Sequence, residues 1–329
     1  RVLEGLFGLA NRIFGITISA PDTPMPVWHE DVMTFVISDD SGAQIASFYL
    51  DPYSRPETKR GGAWLNPMRP RCRKSDGTTT LPAAYIVCNQ TRPTREQPSL
   101  MTFSEVTTLF HEFGHALHHL LTTVDEPEAA GLHNVEWDAV ELPSQFMENW
   151  CYHRPALLQM SRHIKTQQPL PDELYQKICD ARTFRAASAS VRQLLFAALD
   201  IELHHRYSPG SELTPQDIKQ RIAAEFSPIP FLDSDRFLCG FTHIFAGGYA
   251  AGYYSYKWAE VLSADAFEAF IEAGVDDPEA TATTGRRFRN TILALGGSQH
   301  PMDVFKAFRG RPPDPDALLR HDGLLNQTE

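Results

Sequence analysis

The sequence predicts a mainly α-helical fold with a small β-sheet near the N-terminus. Two observations carry this. β-Branched and alternating runs are confined to residues 32–90, and from residue 104 onward the apolar residues recur at helical spacing. The composition is that of a globular chain, with 42% of its 329 residues hydrophobic. A net charge of −11 argues against nucleic acid or an anionic membrane as partner. No apolar run approaches the ~18 residues that a membrane span needs. The five cysteines are scattered, odd in number and without a C-x-x-C pair. That favours a reducing compartment, and a cytoplasmic location is expected. The chain opens on Arg1 with neither an initiator methionine nor a signal-peptide pattern, so it reads as a piece of a longer polypeptide.

Residues 1–14 form an amphipathic helix through Val2, Leu3, Leu6, Phe7, Leu9, Ile13 and Phe14. Pro21, Pro24 and Pro26 then enforce an irregular segment. Met33–Ser38 and Ala46–Leu50 are β-rich, and Asp39-Asp40-Ser41-Gly42 between them is turn chemistry, so a hairpin is expected. Lys59–Trp64 is a basic, glycine-containing loop, either a solvated turn or a substrate contact. Ala83–Asn89 is a third strand. It is either a cleft edge that could pair with an extended peptide or a buried central strand.

A long helix over Ser104–Val124 follows, with Ser104 as N-cap and Glu105 suiting the positive end of its dipole. Val106, Phe110, Phe113, Leu117, Leu120, Leu121 and Val124 share one stripe, which places His111, His115 and His118 on the far side. Within it lies His111-Glu112-Phe113-Gly114-His115. Histidines at i and i+4 lie one turn apart and can reach one ion. Glu112, about 100° round from His111, can hold a water without being a ligand. This is the H-E-x-x-H arrangement of zinc peptidases; the alternative is a solvated face that happens to carry two histidines.

The third ligand has to come from elsewhere. The pattern H-E-x-x-H-x-x-G-x-x-H would need glycine at 118 and histidine at 121, where this chain has His118 and Leu121. Asp138–Trp150 reads as a second helix, with Pro143 tolerable only near its first turn. Glu141, Gln145 and Glu148 share one of its faces. Catalytic zinc commonly takes His, His and Glu and keeps one position open, so Glu141 is the candidate ligand. Gln145 and Glu148 could orient the ligands. A solvated helix carboxylate is the competing reading of Glu141.

Beyond Leu170 the chain is largely helical. Asp172–Tyr207 is one amphipathic run ended by Pro209-Gly210, and Thr214–Phe226 is another. His204 and His205 are read as surface or packing residues. Phe241–Tyr256 holds three glycines, expected to form a flexible turn, and Tyr249, Tyr253 and Tyr256 at i, i+4, i+7, expected to line one helix face. A neutral tyrosine hydroxyl suits an oxyanion; an aromatic packing stripe is the plainer use. Further helices are expected at Ser263–Gly274, Pro278–Leu295 and Pro315–His321, the last after a basic turn at Phe308–Pro313.

Three separated blocks resemble the thimet oligopeptidase family of metallopeptidases. They are Phe110–His119, Glu141–Gln145 with Met147–Trp150, and Ala246–Tyr249 with Tyr253–Tyr256. The resemblance extends over the whole chain. It implies a zincin-like catalytic domain over residues 1–329, with one zinc ion held by His111, His115 and Glu141. Glu112 would be the general base, and Tyr249 and Tyr256 would hold the tetrahedral intermediate. His243 is the nearest match to a histidine that the family places before the glycine pair. The implied activity is endopeptidase hydrolysis of short peptides by a metal-activated water. Alternatives are a dipeptidyl carboxypeptidase with the same site, or a non-catalytic fragment. The family also carries a helical N-terminal half that walls a channel. Here that half would be the intramolecular partner of a monomer.

Overall fold

The computed structural model describes residues 1–325. Helix α1 (Val2–Phe14) leads into strands β1 (Thr17–Ser19), β2 (Met33–Ser38), β3 (Gln44–Tyr53), β4 (Trp64–Arg69), β5 (Cys72–Arg73), β6 (Thr79–Thr80) and β7 (Ala83–Gln90). Five of them form a sheet in the order β1-β2-β3-β7-β4, and β5 and β6 make a separate ribbon. The expected hairpin is present: β2 runs antiparallel to β3, with Phe35 opposite Phe48.

The third predicted strand, β7, is central. It lies parallel to β3 on one side and antiparallel to β4 on the other. The edge reading of Ala83–Asn89 is therefore corrected. Six of the eight residues of β7 are buried, and such a run cannot sit at a solvated rim. The edge on that side of the sheet is β4, which carries Pro67, a residue that an edge strand tolerates because one side of its backbone needs no partner.

Helix α2 (Phe103–Leu120) lies across this sheet. Its N-cap is Thr102 rather than Ser104. Thr102 Oγ1 accepts the Glu105 N–H while Glu105 Oε2 accepts the Thr102 N–H, a capping box written as T-x-x-E. Phe7 of α1, Phe35 and Phe48 of the sheet and Phe113 of α2 pack edge to face or stacked, with ring centroids 5.0–6.1 Å apart. Each ring taken out of water there stabilises the fold by about 1.5–3 kcal/mol.

The other side of α2 meets a second helix pair. The predicted helix 138–150 is divided into α3 (Trp137–Val140) and α4 (Leu142–Asn149), with Glu141 between them. Pro143 is the cause: it lacks the N–H that would reach back to residue 139, so it must stand in a first turn. The Glu141 carbonyl at the junction accepts the Gln145 N–H at 3.0 Å and so starts α4.

Then come α5 (Arg154–Met160), α6 (Asp172–Thr183), α7 (Ala186–Ile201), α8 (Pro215–Phe226), α9 (Phe237–Gly240) and α10 (Thr242–Phe245). The chain closes with α11 (Tyr254–Ala273), α12 (Pro278–Phe288), α13 (Pro301–Arg309) and α14 (Pro315–His321). The single run predicted over Asp172–Tyr207 breaks at Arg185, which takes the left-handed conformation. Its two parts answer to different cores. Arg182 of α6 donates to Asn149 Oδ1 and His321 Nδ1 on the main body. Leu195, Phe196 and Leu199 of α7 instead join Ile218, Phe241 and Ile244 in a satellite cluster. The helix expected to begin at Ser263 begins at Tyr254. Among the described residues no helix is long and apolar enough to cross a membrane, and the five cysteines are free thiols.

Candidate metal centre

Gly114 sets the geometry. A Cβ there would lie 2.3 Å from the Pro143 carbonyl oxygen and 2.5 Å from Ser144 Cα. Only glycine lets the α3–α4 junction come this close to α2, and the approach delivers Glu141 between His111 and His115. Glu141 Oε2 stands 3.2 Å from Nε2 of both histidines. The three donor atoms lie within 4.8 Å of one another.

Two of the three donors are held from behind, while His115 Nδ1 is buried without a partner. His111 Nδ1 donates to Glu148 Oε1 at 2.6 Å, which turns Nε2 toward Glu141. Glu141, 5% exposed, accepts Ser144 Oγ–H on Oε2 and the Tyr249 hydroxyl on Oε1, both at 2.9 Å. Burial opposes charge on His111, yet its bonds to Glu141 and Glu148 outweigh this and push its pKa up to about 10. Burial likewise opposes ionisation of Glu141, but the two imidazoles hold its carboxyl far below the usual range. The surroundings therefore demand positive charge at this place. Two imidazole nitrogens and a carboxylate are donors suited to a first-row divalent cation. Donors ~2.0–2.1 Å from a tetrahedral ion stand about 3.3 Å apart, and the two His–Glu separations match this at 3.2 Å. The residues fit a divalent metal.

Glu112 is buried beside the set but outside it. Burial raises its pKa, with His111 and His115 pulling the other way. His118 lies on the side of α2 away from the apolar stripe, as the helical projection placed it. It is 4% exposed, because α2 is covered on both sides. Burial and the neighbouring His115 push its pKa down to about 3, so it is neutral. His119, unremarked in the sequence, donates from Nε2 to the Arg69 carbonyl at 3.0 Å and ties α2 to the edge strand β4.

The tyrosines converge on the same place by another route than predicted. Tyr249 is in a loop, not on a helix face, because Gly248 and Ala251 both take positive φ, at 87° and 56°. Its ring nevertheless stacks on Tyr256 of α11 with centroids 4.6 Å apart. Burial pushes the Tyr256 hydroxyl up to about 12 and Tyr249 higher still, so both are neutral donors. Gln145 Nε2 donates to the Tyr256 carbonyl at 3.2 Å. Tyr253 turns away and donates to Gln193 Oε1 at 3.2 Å. His243 is exposed, its ring 6.4 Å from Tyr249 and 6.3 Å from Tyr256.

Two participants had no signal that sequence reasoning used. Ser144 follows the ligand candidate at i+3, as a first-turn hydroxyl does. Trp137 packs edge-on against Tyr249, with centroids 4.6 Å apart. Outside the site, Lys59 is no free substrate contact, because its ammonium is bound to Asp51 Oδ1 at 3.1 Å. His204 donates to Asp200, and His205 is exposed, in keeping with a packing and a surface role.

A helix bearing H-E-x-x-H, met by a carboxylate from the junction of two short helices and backed by a small mixed sheet, defines a zincin-like fold with a candidate divalent-metal site. The chain belongs to Peptidase family M3, whose model matches residues 1–324. It is similar to an organellar oligopeptidase A, chloroplastic/mitochondrial, of Arabidopsis thaliana, at 58% identity over 99% of this chain and 42% of that protein. It is 48% identical to oligopeptidase A of Escherichia coli over 98% of this chain and 47% of the relative. The chain thus spans about half the length of the curated relatives it matches. Among solved structures, a Pyrococcus furiosus carboxypeptidase shares the fold with a TM-score of 0.55 at 18% identity, over 84% of this chain and 53% of that one.

Proposed function

We propose that the chain is the metal-binding, catalytic part of a zinc-dependent oligopeptidase that hydrolyses short peptides. The observation that carries this is the meeting of His111, His115 and Glu141 next to a buried carboxylate and two neutral tyrosine hydroxyls. One zinc ion held by those three residues would supply the Lewis acid that activates water and polarises the scissile carbonyl.

The remaining steps fall to the chain itself. Glu112, its pKa raised by burial, takes the proton of the attacking water and returns it to the leaving amine. Tyr256 donates to the developing oxyanion. In the structure the Tyr249 hydroxyl is bonded to Glu141, so Tyr249 fixes the ligand carboxylate and reaches the oxyanion only by leaving it. The exposed His243 contacts substrate. The edge strand β4, whose backbone is unpaired on its outer side, is a place where an extended peptide could add.

Residues 1–329 act as one catalytic unit, completed in the full-length enzyme by a half that walls the channel. The free cysteines support a reducing compartment such as the cytoplasm. The deciding experiment uses short quenched fluorescent peptides with and without a chelator. Glu112→Gln should abolish cleavage while the metal stays bound; near-normal activity in that variant removes Glu112 from its role. Loss of cleavage on amidating the peptide C-terminus would point instead to a dipeptidyl carboxypeptidase.

A further inference from the structure

Asp200 lies in the last turn of α7, on the satellite cluster, and takes no part in the reaction described above. It is fully buried, at 0% exposure. Its carboxylate does not pair with lysine or arginine. Instead Oδ1 accepts the Ala251 N–H at 2.9 Å, Oδ2 accepts the Tyr253 N–H at 2.8 Å, and Oδ1 also accepts His204 Nδ1–H at 2.8 Å. The first two donors are backbone groups of the loop that carries Tyr249 and enters α11 just before Tyr256.

Ala251 is the second observation. Its φ of 56° is a conformation that a residue with a Cβ rarely adopts. Such a residue persists where its surroundings over-determine it. A carboxylate gripping the amides on either side of Gly252 is the natural cause. The loop also closes turns on itself, with the Tyr249 N–H on the His243 carbonyl at 3.0 Å and the Gly252 N–H on the Tyr249 carbonyl at 2.9 Å, but much of it faces solvent. Gly247, Gly248 and Ala250 are exposed, and Phe245 just before them is 56% exposed.

We propose that Asp200 is a positioning residue for the reaction: a buried anionic latch that fixes the Tyr249–Tyr256 loop over the metal centre. Its two carboxylate oxygens match two amide donors, and no neutral side chain of the same shape can do this. Asparagine would present an N–H₂ to one of the two N–H groups and leave that amide without a partner. Asp200 touches neither the metal ligands nor substrate. It acts only through the loop backbone, by setting where the two hydroxyls stand.

The proposal rests on the function proposed above for its catalytic consequence, but not for its structural one. Amide hydrogen exchange decides the structural part on the full chain without any substrate. In the unsubstituted chain the Ala251 and Tyr253 amides should exchange far more slowly than free loop amides. In Asp200→Asn their exchange should rise at least tenfold, confined to residues 246–253, with metal content unchanged. On a short peptide kcat should fall on the order of 100-fold, as a misplacement of about 1 Å can cause, with KM changing less. Unprotected amides in the unsubstituted chain would overturn the latch, even if the variant does not fold. So would exchange that rises evenly over the whole chain, the mark of a merely structural residue. Loosened amides with an unchanged kcat would overturn the positioning role. A chain that cleaves no peptide at all defeats the proposed function instead, and the exchange pattern still decides the latch.

Discussion

His111, His115 and Glu141 stand on α2 and the α3–α4 junction, inside the main core. Tyr249 stands on a loop between that core and the satellite cluster of α7, α8 and α10. The first group is fixed by backbone against backbone, since Gly114 leaves no room between α2 and α4. The second is fixed by a few polar contacts: the Tyr249 hydroxyl on Glu141, Gln145 on the Tyr256 carbonyl, and Asp200 on two amides. A metal centre must not move when charge enters it. A group that meets substrate and must let product leave is drawn from the more weakly held part of a fold. Metal binding and turnover should therefore be separable, and three outcomes test this.

The largest effect is expected from acid, acting on the core half. His118 is held neutral, with its pKa pushed down to about 3 from an ordinary 6.5. Between these values the unfolded chain binds a proton that the folded chain refuses. The contribution of His118 to stability is full above about pH 6.5 and is lost as pH drops toward ~3, by an amount on the order of several kcal/mol. The melting temperature should decline steadily below about pH 6.5, while the His118 NMR signals keep their neutral form to about pH 4. A His118 that titrates near its ordinary value while the chain stays folded would show that α2 is not sealed on both sides.

Tyr256→Phe should come next, acting on the loop half. It removes one hydroxyl and little volume. kcat should fall by roughly 10²–10³, as when one oxyanion donor is lost elsewhere, with KM, metal content and melting temperature nearly unchanged. A change in KM alone would make Tyr256 a substrate contact. A loss of metal would mean that the two halves are not independent.

Legibility in the sequence followed the same division. H-E-x-x-H and Glu141 were readable because helical spacing is local, and because Pro143 and the spacing after His115 restrict where a third ligand can stand. The hairpin was readable from its turn residues. What failed depended on distant contacts. β7 could be read as a strand, but whether it was edge or centre depended on β4, whose Pro67 disguises it. The helical projection placed His118 with His111 and His115 away from the apolar stripe, but how deeply α4 buries it depended on the packing of the two helices. The three tyrosines fitted an i, i+4, i+7 pattern that Gly248 and Ala251 break. Tyr249 and Tyr256 still converge, on a loop held by Asp200, while Tyr253 turns away to Gln193, both partners far away in the chain.

The smallest effect, and the finest test of the contrast, is Glu148→Gln. The Glu148 side chain is 40% exposed, and an ion pair that open to water is ordinarily worth little. This one differs in its partner, because the imidazole that it meets at 2.6 Å is a candidate metal ligand. Glutamine can still accept the Nδ1 proton through its carbonyl, so the orientation of the His111 ring survives. What goes is the negative charge that makes Nε2 a better donor. Metal affinity, measured by competition with a chelator, should fall about 10- to 100-fold, the usual cost of losing such a partner. Hydrogen exchange of the Tyr249 loop should not change, since Glu148 touches none of its anchors. An unaltered affinity would reduce the Glu148–His111 contact to an ordinary surface pair. A loosened loop would mean that α4 transmits strain to the tyrosines through Gln145, one turn before Glu148, and that the core half and the loop half are one device.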